Sequence, residues 1–326
     1  MLCTHFISNL TDFLEYIWIF QREIVFLQKI YCAIFKMSIK EYLIEDRYNI
    51  GFIKNRLEDI VNGDRIQISW MKHDYKDRWF ADPFLLDVTD EHFIVLVEEW
   101  FDPIKRGRIS KLTIDKHSYI LINIKTILEL DSHLSFPFIQ RENDCIYIIP
   151  ENSATGRLPR YKYDPSTDDV NFDSIICDDK LTDSVPFEYN GQQLMFSTRL
   201  PDANGKDLGI YHKGKDGTYV QYDTYHFDEN LSRMAGDIFT CKGKLYRPAQ
   251  VCIKSYGDAV SLQEIIYNDG KFGFKEIRRI YSPSKKYDLG FHTFNVYNGH
   301  IVVDGLGYRR PFISHFFKAI WHLFKR

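Results

Sequence analysis

The chain has 326 residues, of which 44% are hydrophobic and 27% are charged, and its formal net charge is −3. These values are ordinary for a soluble globular protein. The small negative charge argues against a nucleic-acid partner, which would require a basic surface. The 21 tyrosines and 25 phenylalanines are a high aromatic share, which fits either packing in β-sheets or surfaces on which sugars stack.

Six cysteines are spread along the chain, at positions 3, 32, 145, 177, 241 and 252. No two of them form a Cys-x-x-Cys pair, and no histidine cluster has zinc-finger spacing. We therefore expect reduced, partly buried thiols, no metal and no cofactor. This pattern is typical of a cytoplasmic protein, and a peripheral position at the inner face of a membrane is compatible with it.

Residues 1–45 are predicted to form an N-terminal helical extension. Charged residues such as Asp12 and Arg22 interrupt every apolar run in residues 1–36, so none reaches the roughly 20 residues that a membrane span needs. The basic start and the small-residue cleavage site of a signal peptide are missing as well. Two interpretations stay open, an amphipathic helix or an upstream extension with Met37 as an alternative start.

A short strand motif recurs five times in the middle of the chain, at a spacing of roughly fifty residues. Its copies are Phe80–Phe84, Ser135–Phe138, Asp183–Phe187, Ala235–Phe239 and Phe291–Phe294. A hairpin turn follows each copy, as in Asn190-Gly191, Lys242-Gly243 and Asn298-Gly299. Because equally spaced hairpins are typical of a closed radial array, we predict an all-β fold, a five-bladed β-propeller.

The fifth blade needs strands from the other end of the domain. After the fifth motif only two strands are evident, Phe294 to Tyr297 and His300 to Val303. Because an unpaired strand edge invites aggregation, we expect strands near residues 49–53 and 66–70 to complete this blade. The closure predicts one propeller domain over residues 46–306.

Residues 307–326 are predicted to form a short C-terminal amphipathic helix. Apolar side chains fall at positions 313, 316, 317, 320, 323 and 324, with basic side chains on the opposite face. Two roles stay open for this helix. It could dock on the propeller, or residues 309–326 could make peripheral contact with an anionic membrane or a membrane-bound partner.

Polar residues recur at the ends of the predicted inner strands. The start of the first strand of an antiparallel hairpin lies beside the end of the second, so two rings of side chains would face one pocket. The first ring contains Asp82, Ser135, Asp183, Arg233 with Asp237, and His292. The second contains Glu98 or Glu99, Glu151, Thr198 or Arg199, Arg247 with Gln250, and Asp304.

Acids and arginines in such rings suit the hydroxyl groups of a sugar, which donate and accept hydrogen bonds in fixed directions. We therefore predict a substrate-binding set made of Glu99, Arg199, Arg233, Asp237, Arg247, Gln250, His292 and Asp304.

Each of these positions also has a purely structural interpretation. Asp82 could cap a turn, and Glu151 could belong to a solvated loop. His292 could be a core histidine, while Arg233 and Arg247 could hold neighbouring blades together. The functional prediction rests on the coincidence of these residues at equivalent points of a repeat.

Several fragments taken together resemble one known family. They are Trp79–Phe84 (WFADPF), Tyr147–Glu151 (YIIPE), Leu245–Gln250 (LYRPAQ), Ser255–Val260 (SYGDAV), and His292–Phe294 (HTF) with Val303–Gly305 (VDG). Over residues 75–306 the chain resembles the N-terminal domain of the glucosamine inositolphosphorylceramide transferase family, a propeller related to glycoside hydrolase family 43. The resemblance implies a carbohydrate context. In the plant transferases this domain accompanies a separate glycosyltransferase domain, and no nucleotide-sugar motif of such a domain is found in this sequence.

The resemblance also suggests catalytic positions. The hydrolase relatives use an Asp general base, a second Asp that tunes protonation, and a Glu general acid. Asp82 matches the base and Asp183 the second Asp. The acid is expected on entry to blade four, where residues 233–237 contain no glutamate, and Glu151 could substitute from blade two. The catalytic residues of an enzyme would thus be Asp82, Asp183 and Glu151, but the standard set is incomplete.

The leading functional prediction is a carbohydrate-recognising propeller that acts in glycoconjugate or polysaccharide biosynthesis. Its ligand would be a glycan or a glycolipid, and its partner a glycosyltransferase. The first alternative is a family 43-like glycoside hydrolase or transglycosidase with a non-standard general acid. The second is a structural adaptor that recruits a partner to a membrane.

Overall fold

The computed structural model describes residues 23–25, 45–310 and 312–314. Strands dominate residues 45–310, with helix α1 (Leu57–Val61) and a 3₁₀ turn at Ser153–Thr155 as the helical segments of that range. The first ten strands are β1 (Asp46–Ile53), β2 (Ile68–Trp70), β3 (Arg78–Val88), β4 (His92–Phe101), β5 (Arg106–Asp115), β6 (Leu121–Leu128), β7 (Ser135–Glu142), β8 (Cys145–Glu151), β9 (Leu158–Asp164) and β10 (Asp169–Cys177). The next ten are β11 (Leu181–Tyr189), β12 (Gln192–Arg199), β13 (Asp207–Lys213), β14 (Tyr219–His226), β15 (Phe239–Cys241), β16 (Lys244–Val251), β17 (Ala259–Asn268), β18 (Lys271–Ile280), β19 (Phe294–Tyr297) and β20 (His300–Tyr308).

These strands form five four-stranded sheets, which are the blades of the propeller. Blades one to four each use four consecutive strands, beginning with β3, β7, β11 and β15. Blade five has the order β19-β20-β1-β2, so strands from both ends of the propeller sequence complete it. The predicted five-bladed all-β fold is therefore confirmed, and the closing strands lie where the sequence placed them.

The innermost strands of blades one to three carry a bulge near their starts, and these bulges shape the axis. The strand register shifts between Ala81 and Phe84 in blade one, with equivalent shifts in blades two and three. At these shifts Asp82, Phe136 and Asp183 have φ angles of 49°, 42° and 46°. Such positive angles are uncommon outside glycine. Bulges redirect side chains, and here they set the directions of two of the predicted acids.

Apolar side chains fill the spaces between neighbouring blades. The largest cluster joins Phe84, Phe138, Phe196 and Phe272 from the first four blades. Innermost strands such as β3 are buried over most of their length, whereas outermost strands such as β14 are mainly exposed. The high phenylalanine and tyrosine content is thus largely used for packing between sheets.

Residues Arg47–Gly307 form one compact unit, and the residues on either side of it form a second. Residues 23–25 and 312–314 are helical. Helices were predicted for residues 1–45 and 307–326. Apart from residues 23–25, 45, 307–310 and 312–314, these predicted segments lie outside the described residues. Among the described residues, no helix is long and apolar enough to cross a bilayer.

Candidate functional site

His292 lies between two carboxylates at the axial end of the inner strands. Its Nε2 atom is 3.2 Å from Asp82 Oδ1, and its Nδ1 atom is 2.9 Å from Asp304 Oδ1. A ring with an acid at both nitrogens donates from both and carries a positive charge. Burial opposes this charge. The interactions with Asp304, and then with Tyr48, Tyr256 and Asp82, nevertheless raise the pKa of His292 well above its usual value.

Asp304 is held in its ionised form by several donors. Besides His292 Nδ1, it accepts the backbone N–H groups of Asp82, His292 and Thr293, each at 3.1 Å. Although burial opposes ionisation, the interaction with His292 lowers the pKa of Asp304 below its usual range. Asp82, His292 and Asp304 lie close enough together for metal binding, but both ring nitrogens face carboxylates and neither offers a free lone pair.

Arg233 forms the second half of the site. Its Nε atom lies 2.6 Å from Asp183 Oδ2, and its Nη2 atom lies 3.1 Å from Glu151 Oε2. The Arg233 guanidinium therefore forms ion pairs with both acids. Burial raises the pKa of Glu151 to about 8, with Asp183 adding to the rise and Arg233 opposing it. We conclude that Glu151 tends to keep its proton near neutral pH.

Glu98, rather than Glu99, is the acid that joins this cluster. Side chains alternate along a strand, so these neighbours on β4 point to opposite faces. The Glu98 carboxyl is buried, and its electrostatic neighbours are Asp82, His292, Glu151 and Asp304. Burial, followed by the charge of Asp82, raises its pKa well above the usual range.

The structure places Glu99 in a separate buried ion cluster. Its carboxylate lies 2.7 Å from Arg78 and 3.0 Å from Arg108, and it accepts a hydrogen bond from Ser110. The predicted binding set names Glu99, but residue type alone does not distinguish two adjacent glutamates. The strand ladder does so, since it pairs Glu99 with Arg108 and Glu98 with Ile109.

Two predicted arginines lie away from the acid cluster. Arg199 is exposed and pairs with Asp179 at 2.9 Å. Arg247 is fully buried and donates to the carbonyl groups of Leu231 and Ser232 at 3.0 and 2.7 Å. Burial without a carboxylate partner lowers the pKa of Arg247 to about 9. It fixes the loop that carries Arg233 instead of facing a ligand itself.

Gln250 and Asp237 take different positions. The Nε2 atom of Gln250 donates to Asp183 at 2.7 Å, so this side chain belongs to the acid cluster. The backbone N–H of Asp237 donates to Asn295 at 2.8 Å, and burial raises the pKa of the Asp237 carboxyl to about 7. A backbone hydrogen bond from Ile238 partly opposes this rise.

The same polar side chains also join the five blades around the axis. Their hydrogen bonds link each blade to the next in turn: Asp82 N–H to Asp304 (3.1 Å), Phe136 N–H to Asp82 (3.0 Å), Asp183 N–H to Glu151 (3.2 Å), Gln250 to Asp183 (2.7 Å) and Asp237 N–H to Asn295 (2.8 Å). The structural and functional interpretations of these residues are therefore compatible, because one network closes the propeller and lines its axis.

Two tyrosines that were absent from the predicted site flank His292. Tyr48 on β1 and Tyr256 in the loop before β17 have ring centroids 4.7 and 5.4 Å from the imidazole. The Tyr256 ring is also 5.1 Å from the Arg233 guanidinium and so lies beside both halves of the site. Gly257 allows this approach, since its φ is 61° and a Cβ there would lie 2.5 Å from His292 Cβ. The Tyr-Gly pair was the available sequence signal for Tyr256.

These features define the protein as a five-bladed β-propeller with an acidic, tyrosine-flanked site at its axis. A model of the family described as "Glucosamine inositolphosphorylceramide transferase 1, N-terminal" matches residues 64–301. The chain belongs to this family, as the sequence fragments suggested.

Curated relatives carry the same family name. Glucosamine inositolphosphorylceramide transferase 1 of Oryza sativa subsp. japonica is 26% identical over 200 residues, which are 59% of this chain and 27% of that protein. The Arabidopsis thaliana protein of that name is 27% identical over 147 residues, 41% of this chain and 18% of its own length. The chain thus matches about a quarter or less of these relatives.

Solved structures support the fold. The RS223 β-xylosidase superposes with a TM-score of 0.50 at 10% identity, covering 72% of this chain and 85% of that one. At this identity the likeness concerns the fold alone.

Proposed function

We propose that the axial site binds a saccharide and that the propeller is a carbohydrate-recognition domain for glycoconjugate or polysaccharide assembly. The observation that carries this proposal is the convergence of the acid cluster, Arg233 and His292 between Tyr48 and Tyr256. Charged donors and acceptors fix sugar hydroxyls in direction, and aromatic rings provide apolar faces beside them. The site offers both, with the acids buried and Tyr256 41% exposed beside them.

Recognition is favoured over hydrolysis by how the candidate catalytic groups are used. Asp82, the expected base, has one carboxylate oxygen on His292 and the other on the N–H of Phe136. On entry to blade four, Arg233 stands where an acid was expected, and it binds both Asp183 and Glu151. A general base and a general acid must be free to exchange protons with substrate or water, and these contacts oppose such exchange.

The family supplies the biological setting of the proposal. The curated relatives carry the name glucosamine inositolphosphorylceramide transferase 1. We therefore place the ligand among glycans or glycolipid headgroups, with a glycosyltransferase as the functional partner. We also propose a cytoplasmic location, with peripheral membrane contact through residues 309–326. The 91% exposure of Phe312 supports that contact.

The test uses the full 326-residue chain and a glycan array, followed by saturation-transfer NMR with the saccharides that bind. The proposal expects binding that weakens in Asp183→Asn and no turnover of any aryl glycoside. Glu91→Gln, an exposed hairpin substitution, is the matched control. Turnover that disappears in Asp82→Asn and Glu151→Gln would establish a hydrolase instead. Vesicle binding without any saccharide affinity would establish the adaptor.

A further inference from the structure

We infer that the propeller itself docks on an anionic lipid bilayer, through a rim of three loops beside the axial site, residues 71–77, 252–258 and 281–290. This surface differs from the contact proposed above for residues 309–326, because all three loops belong to the propeller. The docking does not depend on saccharide binding. It follows from the position, the exposure and the charge of the rim.

Strand direction places the three loops at the end of the propeller where the axial site lies. The first strand of each blade starts at this end, so the loop after the second strand and the connection after the fourth strand return to it. Residues 252–258 follow the second strand of blade four, and residues 281–290 follow its fourth strand. Residues 71–77 follow the fourth strand of blade five. The ring of Tyr256 lies 5.4 Å from that of His292, so the rim borders the axial site.

Large apolar side chains of the rim are exposed to solvent. Tyr75, Ile253, Tyr256 and Tyr281 have exposed fractions of 45%, 45%, 41% and 49%. Exposed apolar surface with a polar surround is typical of a protein or membrane contact. Tyrosine suits the headgroup layer of a bilayer in particular, because its ring is apolar and its hydroxyl stays in contact with water.

Unpaired lysines accompany these apolar side chains. The rim contains five lysines and four aspartates, and Asp77 is neutralised by its ion pair with Arg78. None of the five lysines forms an ion pair with a described residue, and they are Lys72, Lys76, Lys254, Lys285 and Lys286. Lys254 lies 6.0 Å from the ring of Tyr281, so charge and apolar surface are interleaved. Lysine next to tyrosine is the combination that binds an anionic headgroup layer.

His73 shows that the lysines of different loops act on one region. Burial, followed by the charges of Lys286 and Lys76, lowers the pKa of His73 to about 4, although Asp74 acts in the opposite direction. Lys286 and Lys76 come from two separate connections between blades. Their fields therefore add at this point of the rim, as binding to a negatively charged surface requires.

The ends of the propeller unit lie on the same side as the rim. Because β20 finishes and β1 starts there, Gly307 and Arg47, the last and first residues of the unit, belong to this end. A Cβ atom at Gly307 would lie 1.9 Å from the carbonyl oxygen of Lys286, so the end of β20 touches the rim. The basic and aromatic sequence 309–326 begins two residues further on. A bilayer is thus the partner that fits both the rim and the sequence that follows it.

The first test is co-sedimentation of the full chain with vesicles of phosphatidylcholine that contain phosphatidylserine, and with vesicles of phosphatidylcholine alone. We expect binding to the first kind, which weakens with added salt because charges are screened. Combining Lys254→Gln with Lys286→Gln should lower the affinity about fivefold for each lysine. Combining Lys215→Gln with Lys271→Gln is the matched control, since these exposed lysines lie at the opposite end of blades three and four. The control should bind as the unchanged protein does.

A second pair of variants tests the apolar part of the rim. Ile253→Gln should weaken vesicle binding severalfold, because the bilayer then buries less apolar surface. Ile122 is 54% exposed on β6, the outermost strand of blade one, and so Ile122→Gln should leave binding unchanged.

Methyl NMR on bicelles of the same lipids gives a readout that does not depend on the folding of a variant. With nitroxide-labelled lipid in the bicelle, the methyl signals of Ile253 should broaden more than those of Ile122. Equal broadening, or stronger broadening of Ile122, would place another side of the propeller against the bilayer and overturn the inference.

The remaining outcomes separate this inference from the proposed function. Absence of vesicle binding would overturn the docking and leave saccharide recognition standing. Binding that is lost in Phe312→Gln but kept in the Lys254 and Lys286 variant would also overturn it, since the contact would then lie in residues 309–326 alone. Equal weakening by the control lysines would reduce the effect to overall charge and overturn a specific rim. Vesicle binding through the rim without any saccharide on the array would support the docking and overturn saccharide recognition.

Discussion

The Nε atom of Arg233, in the loop that enters blade four, lies 2.6 Å from the Oδ2 atom of Asp183 in blade three. The same guanidinium reaches Glu151 in blade two. One side chain thus ties three blades together and fixes two carboxylates at the axis. Arg233 therefore acts as an electrostatic anchor at the axis.

Arg233→Met should destabilise the propeller strongly. It leaves the buried carboxylate of Asp183 without its cation and the buried Glu151 carboxyl without its hydrogen-bond partner, a change that typically costs about 3–5 kcal/mol. Denaturant unfolding of the full chain at neutral pH measures this loss. Arg199→Met removes an exposed pair and is the matched control, with an expected loss of under about 1 kcal/mol. Equal losses for the two variants would contradict the anchoring role of Arg233.

Glu98→Gln and Glu99→Gln should act in opposite directions on stability. Glu99 is held between Arg78 and Arg108, so removing its charge should lower the free energy of unfolding by about 3 kcal/mol. Glu98 faces other acids, so Glu98→Gln should leave stability near neutral pH unchanged or raise it. Chemical denaturation of both variants distinguishes the two faces of β4. Equal destabilisation would mean that Glu98 has a cationic partner.

Arg247→Lys should weaken saccharide binding although Arg247 does not face the ligand. Its guanidinium holds the carbonyls of Leu231 and Ser232, directly before Arg233. A lysine lacks the planar fork and ionises less readily when buried, so the loop and the Arg233 contacts should loosen. We expect a severalfold weaker affinity with the same preference among sugars. If Arg247→Lys is less stable but binds the saccharide with unchanged affinity, Arg247 contributes to packing and not to the position of Arg233.

The stability of the protein should fall as pH rises through neutrality. Asp237 has its pKa raised from 3.8 to about 7, so the folded state holds a proton that the unfolded chain has lost. Stability is therefore lost between about pH 4 and pH 7. Glu151, raised to about 8, acts in the same direction. The contribution of His292, whose pKa is also raised, is complete below about 6.5 and is lost as pH rises through its folded pKa.

Asp237→Asn separates one part of this pH dependence. The variant should flatten the fall between about pH 4 and pH 7 by on the order of 2 kcal/mol, because the amide does not titrate. Thermal or denaturant unfolding at several pH values measures the slope, with Glu91→Gln as control. An unchanged slope in Asp237→Asn would contradict the buried, protonated state of this carboxyl.

The fold could be predicted because its signals are local and repeated. Turn pairs such as Asn190-Gly191 and Asn298-Gly299 mark the hairpins, and their spacing fixes the number of blades. Closure of blade five followed from the cost of an unpaired edge. The predicted strands near 49–53 and 66–70 correspond to Asp46–Ile53 and Ile68–Trp70.

The site could be predicted only in part, since the direction of a side chain depends on register. Asp82, Asp183 and His292 were found because they occupy equivalent points of the repeated motif. Glu98 and Glu99 could not be separated without knowing which face of β4 meets the axis. Tyr48 was missed because it precedes the first motif and reaches the axis only through closure of blade five.

The most direct test of saccharide binding at the axis is NMR of the His292 imidazole in the full chain, assigned with His292→Gln. Before ligand is added, both ring N–H groups should give signals, because Nδ1 is hydrogen-bonded to Asp304 and Nε2 lies 3.2 Å from Asp82. Saturation with the tightest saccharide should shift these signals together with that of Tyr48. Saccharide binding that leaves the His292 signals unchanged would place the sugar elsewhere and contradict the axial site.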